Sequence, residues 1–301
     1  MAEDLLAQLS RRIAALAAEG AAHVVRVDGR RRSSASGIAW SADGVVVAAH
    51  HTLPRDEGVT VGLPSGDTVA AELVGRDPST DLAVLRVRDA TLDPAIIADE
   101  ALAAGELLVG VSRPGRSPRV GLGVLARAAG EFRAAGGGRV DRFLESTLEL
   151  QPGLSGALVL RADGAAVGVA TSGLVRGAAM VLPAATLRRV VKALLAHGEI
   201  RRGYLGLATY PVPLPPALRA ATGEELALLV SQVEPESPAA RAGIVLGDAL
   251  LSVGGETMQD PRELLALLGE ERIGDTVAVR LLRGGEVRDV AVTVGARAGR
   301  R

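Results

Sequence analysis

No cysteine occurs among the 301 residues. This removes thiol nucleophiles, thiolate metal sites and disulfides, and leaves the redox compartment open. Any nucleophile is therefore an oxygen or a nitrogen. Aromatic residues are only 2% of the chain, and Trp40, Phe132 and Phe143 are the only ones before Tyr204. Charge of one sign is also missing: 34 Lys and Arg face 35 Asp and Glu, so no basic field draws in nucleic acid and no acidic field repels it. No apolar run approaches the length of a membrane span, so no integral membrane segment is expected. Glu3 and Asp4 stand where a secretory signal has its basic region, which predicts a cytoplasmic chain, or a periplasmic one if an export segment precedes Met1.

What is present is a globular composition, 48% apolar with 23% charged residues, on a chain long enough for two domains. Leu5, Leu6, Leu9, Ile13 and Leu16 fall at helical spacing, predicting an amphipathic helix over 3–18 for a partner, a membrane surface or packing; packing or self-association comes first, because Arg11 and Arg12 are too few for a basic face. From Val24 to Val181, short Val/Ile/Leu segments alternate with turns such as Asp43-Gly44, Ser65-Gly66-Asp67 and Asp163-Gly164, the pattern of an all-β sandwich or barrel. Gly37–Trp40 and Val45–Ala49 form a hairpin that ends at His50-His51. Residues 184–197 change to helical period and stop at Gly198, with Pro183 and Thr186 marking the start. A second set of strands follows from Tyr204, with a helical stretch over 261–268. The domain boundary is placed near 198–203, and the tail Gly295–Arg301 is expected to fray.

Four histidines exist, His23, His50, His51 and His197, so a histidine base has few candidates. Only the adjacent pair follows a strand of the β region. Gln151-Pro152-Gly153-Leu154-Ser155-Gly156 puts a serine between glycines, in a turn expected to join apolar strands 148–150 and 158–160. Such a turn can aim main-chain N–H groups at the oxyanion formed when serine attacks a carbonyl. In Asp77-Pro-Ser-Thr-Asp81-Leu-Ala-Val84, an acid directly precedes an apolar strand. A carboxylate carried inside needs a partner, and a histidine Nδ1–H is one; Asp77 reads better as a turn residue.

These elements together resemble the HtrA (Deg) family of trypsin-like serine proteases, over about residues 22–297. Ser41-Ala-Asp-Gly44, the strand to His51, Val59-Thr-Val61, Asp77–Val84 and Gln151–Gly156 occur in the family's order with similar spacing. Counting from Gly44 and from Val59 selects His51, whereas a chymotrypsin-like reading of Val-Val-Ala-Ala-His selects His50. The resemblance implies a mainly β, chymotrypsin-like double barrel followed by an α+β PDZ domain, and hydrolysis of unfolded or damaged polypeptides without a cofactor. The catalytic residues it implies are His51, Asp81 and Ser155, with the N–H groups of Gly153 and Ser155 as oxyanion hole. With the amphipathic helix in front, the chain divides into an N-terminal helix (1–21), a protease domain (22–199) and a PDZ domain (200–297). Leu154 stands where Asn is usual, Ala157-Leu158 where Gly-Pro is usual, and Ala48-Ala49 where Thr-Asn is usual. Ala157 is expected to restrict the turn, and residues 172–183 lack the family's Gly-rich, Phe-containing form. A catalytically silent peptide-binding scaffold is the alternative.

Arg201-Arg-Gly-Tyr-Leu-Gly-Leu207 resembles the carboxylate-binding loop of a PDZ domain. It implies that the N–H groups of Leu205, Gly206 and Leu207 receive the C-terminus of a polypeptide. Ser237–Gly243 and Gly247–Gly255 fit the same pattern, with Leu264, Leu265 and Leu268 expected to line the groove. Relatives commonly trimerise, but the scarcity of aromatics makes a ring-based trimer contact doubtful here. Gly121-Leu-Gly-Val-Leu-Ala126 satisfies a dinucleotide pattern without the βαβ unit that would give it meaning, and reads as a strand. Arg30–Arg32 and the arginines over 116–133 lack interleaved aromatics and read as solvated faces rather than nucleic-acid contacts. No cluster has metal-ligand spacing.

Overall fold

A computed structural model of the chain describes residues 2–29, 34–88, 90–134, 137–149 and 151–298. Arg30–Arg32 and Leu150 lie outside the described residues. Two compact units divide the chain, one ending at Ile200 and one beginning at Arg201.

The first unit opens with helix α1 (Ala2–Ala22). Strands β1 (Val24–Asp28), β2 (Ala35–Ser41), β3 (Val45–Ala49), β4 (Val59–Gly62), β5 (Thr68–Asp77) and β6 (Leu82–Val87) close a barrel in the order β1-β2-β3-β6-β5-β4. A second barrel is built from β7 (Leu107–Ser112) and β8 (Arg119–Ala129), then, after a small hairpin of β9 (Phe132–Arg133) and β10 (Arg139–Val140), from β11 (Phe143–Ser146), β12 (Leu158–Arg161), β13 (Ala166–Thr171) and β14 (Ala179–Pro183). Strand β3 shows why the sequence does not alternate here. Val46 and Ala48 fill the first barrel, while Val45 and Val47 point the other way, into a core shared with β7, β12 and β13 of the second. A strand buried on both faces reads as a continuous apolar run. Helix α1 contributes Leu16 to that shared core and leaves Leu5, Leu6 and Leu9 exposed.

Helix α2 (Ala184–His197) ends in a left-handed Gly198, whose N–H returns to Leu194 C=O at 2.8 Å. Thr186 does not cap its start. The helix begins after Pro183 without a side-chain cap, and Thr186 donates instead to Asp141 Oδ2 at 2.7 Å. Residues 147–149 form no strand. Leu148 is apolar because it is a plug: it is buried, and its side chain lies against Gly110 and Gly121 of β7 and β8.

In the second unit, β15 (Arg201–Tyr204), β16 (Leu207–Pro213), α3 (Pro216–Thr222), β17 (Leu226–Val233), α4 (Pro238–Arg241), β18 (Ala249–Val253), β19 (Glu256–Thr257), α5 (Pro261–Leu267), β20 (Thr276–Arg283), β21 (Glu286–Thr293) and β22 (Gly295–Ala298) follow in order. The main sheet runs β16-β17-β18-β20-β21, with β19 paired to β18. An Asp260/Glu263 capping box starts α5. Buried Asp248 receives both Nε and Nη2 of Arg283 at 2.7 Å. Burial alone would raise that carboxyl's pKa, but Arg283 and the Val245 N–H outweigh it and hold it below the usual range. The expected fraying of the tail is corrected over Gly295–Ala298, which pairs residue for residue with Arg201–Tyr204.

Candidate active site

Asp81 closes the turn 78–81 that leads into β6, and β6 pairs with β3 up to Ala49↔Leu82. That pairing brings Asp81 beside the 3₁₀ turn His50–Thr52 at the end of β3. His50 N–H donates to Asp81 C=O at 3.0 Å. His51 N–H donates to Asp81 Oδ1 at 2.8 Å, and the His51 Nδ1 stands 2.7 Å from Oδ2. The imidazole that meets the carboxylate is thus that of His51. His50 has a buried Nδ1 without a hydrogen-bond partner among the described residues. Desolvation, then Arg76, lowers the pKa of its ring. Asp81 is buried with φ 58°, one of two non-glycine residues with positive φ among those described. A strained backbone at this position survives only where its surroundings over-determine it. Asp77 is the turn residue, accepting from Ser79 N–H at 3.0 Å and from the hydroxyls of Ser79 and Thr80.

Three consecutive residues at the end of β13 tie this pair to Ser155. Thr171 Oγ1 donates to Asp81 Oδ2. Ser172 N–H donates to Ser155 Oγ at 3.2 Å, and the two serine hydroxyls lie 3.1 Å apart. Gly173 runs so close to the Asp81 carboxylate and His51 Nδ1 that a Cβ there would collide with both.

The Ser155 loop is a turn in which Leu154 N–H closes on Gln151 C=O at 3.0 Å, with Pro152 second and Gly153, at φ 90°, third. That is the type II geometry, which needs a glycine-like residue at the third position. Among the described residues, neither Gly153 N–H nor Ser155 N–H donates to a protein acceptor. Ala157 has no positive φ and is fully buried, so its methyl group does not oppose this turn.

Ser36, which the sequence reading did not single out, anchors the loop to the first barrel. It is fully buried, its Oγ donates to Gly153 C=O at 2.8 Å, and its N–H donates to Ser155 C=O at 3.4 Å. Its Oγ in turn accepts Arg113 N–H at 2.8 Å. The Arg113 guanidinium reaches back to Ala21 C=O and Val24 C=O, each at 2.8 Å, and to Arg116 C=O at 2.9 Å. Burial lowers its pKa, and the carboxyl-terminal carbonyls of α1 give the cation a negative pole.

Chemically, a carboxylate at Nδ1 fixes one imidazole tautomer and leaves Nε2 as a base. Ser155, tied to the same Thr171–Gly173 segment through Ser172 and accompanied among the described residues by backbone donors without protein acceptors, supplies the other parts that acyl transfer needs.

Residues 35–169 match the trypsin-like peptidase domain family, and residues 205–294 match the PDZ domain family. A probable periplasmic serine endoprotease, DegP-like, of Brucella suis is 32% identical over 270 residues, covering 87% of this chain and 52% of the relative. The protein of the same description in Halomonas elongata is 31% identical over 272 residues, covering 88% and 57%. The chain thus spans about half the length of the curated relatives it matches. Among solved structures, the serine endoprotease from Yersinia pestis superposes with TM-score 0.72 at 26% identity, over 94% of this chain and 97% of that one. The HtrA-type protease AlgW with decapeptide gives TM-score 0.74 at 23% identity, over 95% and 98%; at that identity the likeness concerns the fold. With a chymotrypsin-like double barrel followed by a PDZ fold, matched along most of its length, this chain belongs to the HtrA family of trypsin-like serine proteases.

Proposed function

We propose that the chain is a serine endopeptidase that hydrolyses peptide bonds of unfolded or damaged polypeptides, with Ser155, His51 and Asp81 as its triad and a PDZ groove that receives polypeptide C-termini. The observation that carries this reading is the single segment Thr171–Gly173, which contacts Asp81, Ser155 and the edge of the His51 ring together. In the reaction, Ser155 Oγ attacks the scissile carbonyl while His51 Nε2 takes its proton. Asp81 stabilises the imidazolium, and the N–H groups of Gly153 and Ser155 receive the oxyanion. The tetrahedral adduct collapses as His51 returns the proton to the leaving amine. Water, deprotonated by the same base, then frees the acid from the acyl-enzyme.

Polypeptide is the substrate class this site accommodates, and the PDZ reading rests on the loop Leu205–Leu207. A periplasmic location is the one the relatives' names support; they give none to a cytoplasmic one. No helix among the described residues is long and apolar enough to cross a membrane. Assembly into a trimer is carried over from the family resemblance alone.

The test is labelling with a fluorophosphonate probe and cleavage of unfolded casein. Both are expected in the parent protein, and both should disappear in Ser155→Ala. A folded parent that neither labels nor cleaves, with a PDZ ligand present, would point to the silent scaffold instead.

A further inference from the structure

The loop between β15 and β16 is built to receive an anion. Leu205 C=O accepts Ala239 N–H at 2.9 Å and Gly206 C=O accepts Glu234 N–H at 2.8 Å, so both carbonyls turn into the domain. Among the described residues, the N–H groups of Leu205 and Gly206 donate to no acceptor. Gly206 has φ 82°, and a Cβ there would strike Ser237. Consecutive free N–H groups around a left-handed glycine form a nest for a carboxylate.

From that nest runs β16, the outermost strand of its sheet, with α5 packed beside it. A chain whose terminal carboxylate sits in the nest must leave it antiparallel to β16, adding a strand to the open edge. What that edge offers follows from the alternation of an antiparallel strand, in which successive residues turn their N–H and C=O first to one neighbour and then to the other. Gly206 points its carbonyl at β17, so Ala208, Tyr210 and Val212 face β17 as well. Leu207, Thr209, Pro211 and Pro213 face the open edge. The register shift at Ala208/Thr209 leaves this order intact, because the extra residue, Ser231, lies on β17. Both prolines therefore stand where a missing N–H costs the sheet nothing. They also remove the donors an added strand would use.

Resting on the PDZ reading above, we infer that the groove of this chain recognises only the last three residues of a polypeptide C-terminus, because Pro211 and Pro213 end the donor edge of β16 after Thr209. The final residue sets its carboxylate in the nest, and its N–H faces Leu207 C=O. The third-from-last residue exchanges both bonds with Thr209. Two residues further upstream the ligand meets Pro211, which accepts but cannot donate, and beyond it Pro213. The ligand class is thus any exposed polypeptide end with suitable final residues, such as unfolding or nicking of a protein would release. An internal strand, or an end that depends on upstream sequence, is not in this class.

The test uses the full chain carrying Ser155→Ala, to prevent cleavage. Its probes are acetyl-Tyr-Val-Val with a free carboxylate, the same three residues preceded by five alanines, and the amide-capped tripeptide, with binding measured by calorimetry. The two free acids are expected to bind within about threefold of each other, since the extension can give one N–H to the Pro211 carbonyl but finds no donor there or at Pro213. Pro211→Val, which restores an outward N–H, should tighten the longer peptide alone, by about three- to tenfold. Longer-peptide binding tenfold tighter than the tripeptide in the proline-containing protein overturns the inference while leaving the PDZ reading in place. Equal binding of the amide, or no binding of any peptide to folded protein, overturns the PDZ reading itself. The comparison of free acids needs no substitution at Pro211, so misfolding of that variant does not remove the test.

Discussion

Asp81 is gripped from three sides, by His51 N–H, the His51 ring and Thr171 Oγ1, and its main chain is fixed by His50 as well. The loop that carries Ser155 hangs on the first barrel by the backbone and hydroxyl of one residue, Ser36. The two halves of the site are thus preorganised by unlike means. The proposed base and its carboxylate lie at the ends of paired neighbouring strands, so the sheet itself sets their separation. The proposed nucleophile and oxyanion donors lie on a turn, whose peptide planes can rotate unless something holds them. The acid–base half is expected to be rigid in every functional state, and the oxyanion half to be the one that regulation or mutation can loosen.

The largest effects lie in the acid–base half. Asp81→Asn keeps the shape but misplaces the ring proton, and kcat is expected to fall about 10⁴-fold. His51→Ala should be at least as damaging, while His50→Ala keeps most activity, because the ring hydrogen bond to Asp81 comes from His51 and the buried His50 Nδ1 has no hydrogen-bond partner among the described residues. Steady-state cleavage of a chromogenic peptide checks all three. A severe loss in His50→Ala together with a mild one in His51→Ala would reverse the assignment.

Ser36→Ala probes the other half. Loss of the hydroxyl leaves Gly153 C=O and Arg113 N–H without their partner in a buried place. The Gly153 peptide is then free to rotate its neighbour out of the oxyanion site. Losing one oxyanion donor outright costs about 10²- to 10³-fold, so loosening it should lower kcat by about 10- to 100-fold with KM nearly unchanged. Affinity for a peptide boronate, whose tetrahedral adduct uses the same donors, should fall in parallel with kcat, while affinity for a product peptide stays constant. A variant that only melts earlier, with kcat and boronate affinity intact, would reduce Ser36 to a packing role.

How much of this was legible in the sequence follows the same division. His51 and Asp81 could be proposed because each abuts an apolar strand and the family's order and spacing select them, although β4 and β5 separate those strands in the chain. Ser155 could be read because its turn demands glycines. Ser36 and Thr171 could not. Ser36 meets Gly153 across 117 residues and Thr171 meets Asp81 across 90, and a buried serine in a strand carries no local signature. Arg113 misleads further: arginine in a loop suggests solvent, yet its guanidinium lies among backbone carbonyls, a setting defined only once α1 has docked. Leu148 shows the converse error, an apolar residue that suggests strand because composition does not distinguish a ladder position from a plug. Gly295–Ala298 reads as a fraying tail because its pairing partner, Arg201–Tyr204, is remote in sequence.

Ser172 offers the finest test of the contrast. Its hydroxyl and its N–H both address Ser155 Oγ, whereas attack on a carbonyl requires Ser155 to give its proton to His51. If Ser172 accepts that proton's hydrogen bond, it competes with the base. If it donates, it withdraws density from the lone pair that must attack. Either polarity opposes acylation, and a hydrogen bond of ordinary net strength is worth a factor of about two to ten. Ser172→Ala removes the hydroxyl and keeps the N–H, so fluorophosphonate labelling should proceed about threefold faster with deacylation unchanged. Slower labelling would mean that the hydroxyl orients the nucleophile rather than restrains it, and the oxyanion half would then be as firmly built as the half that holds Asp81.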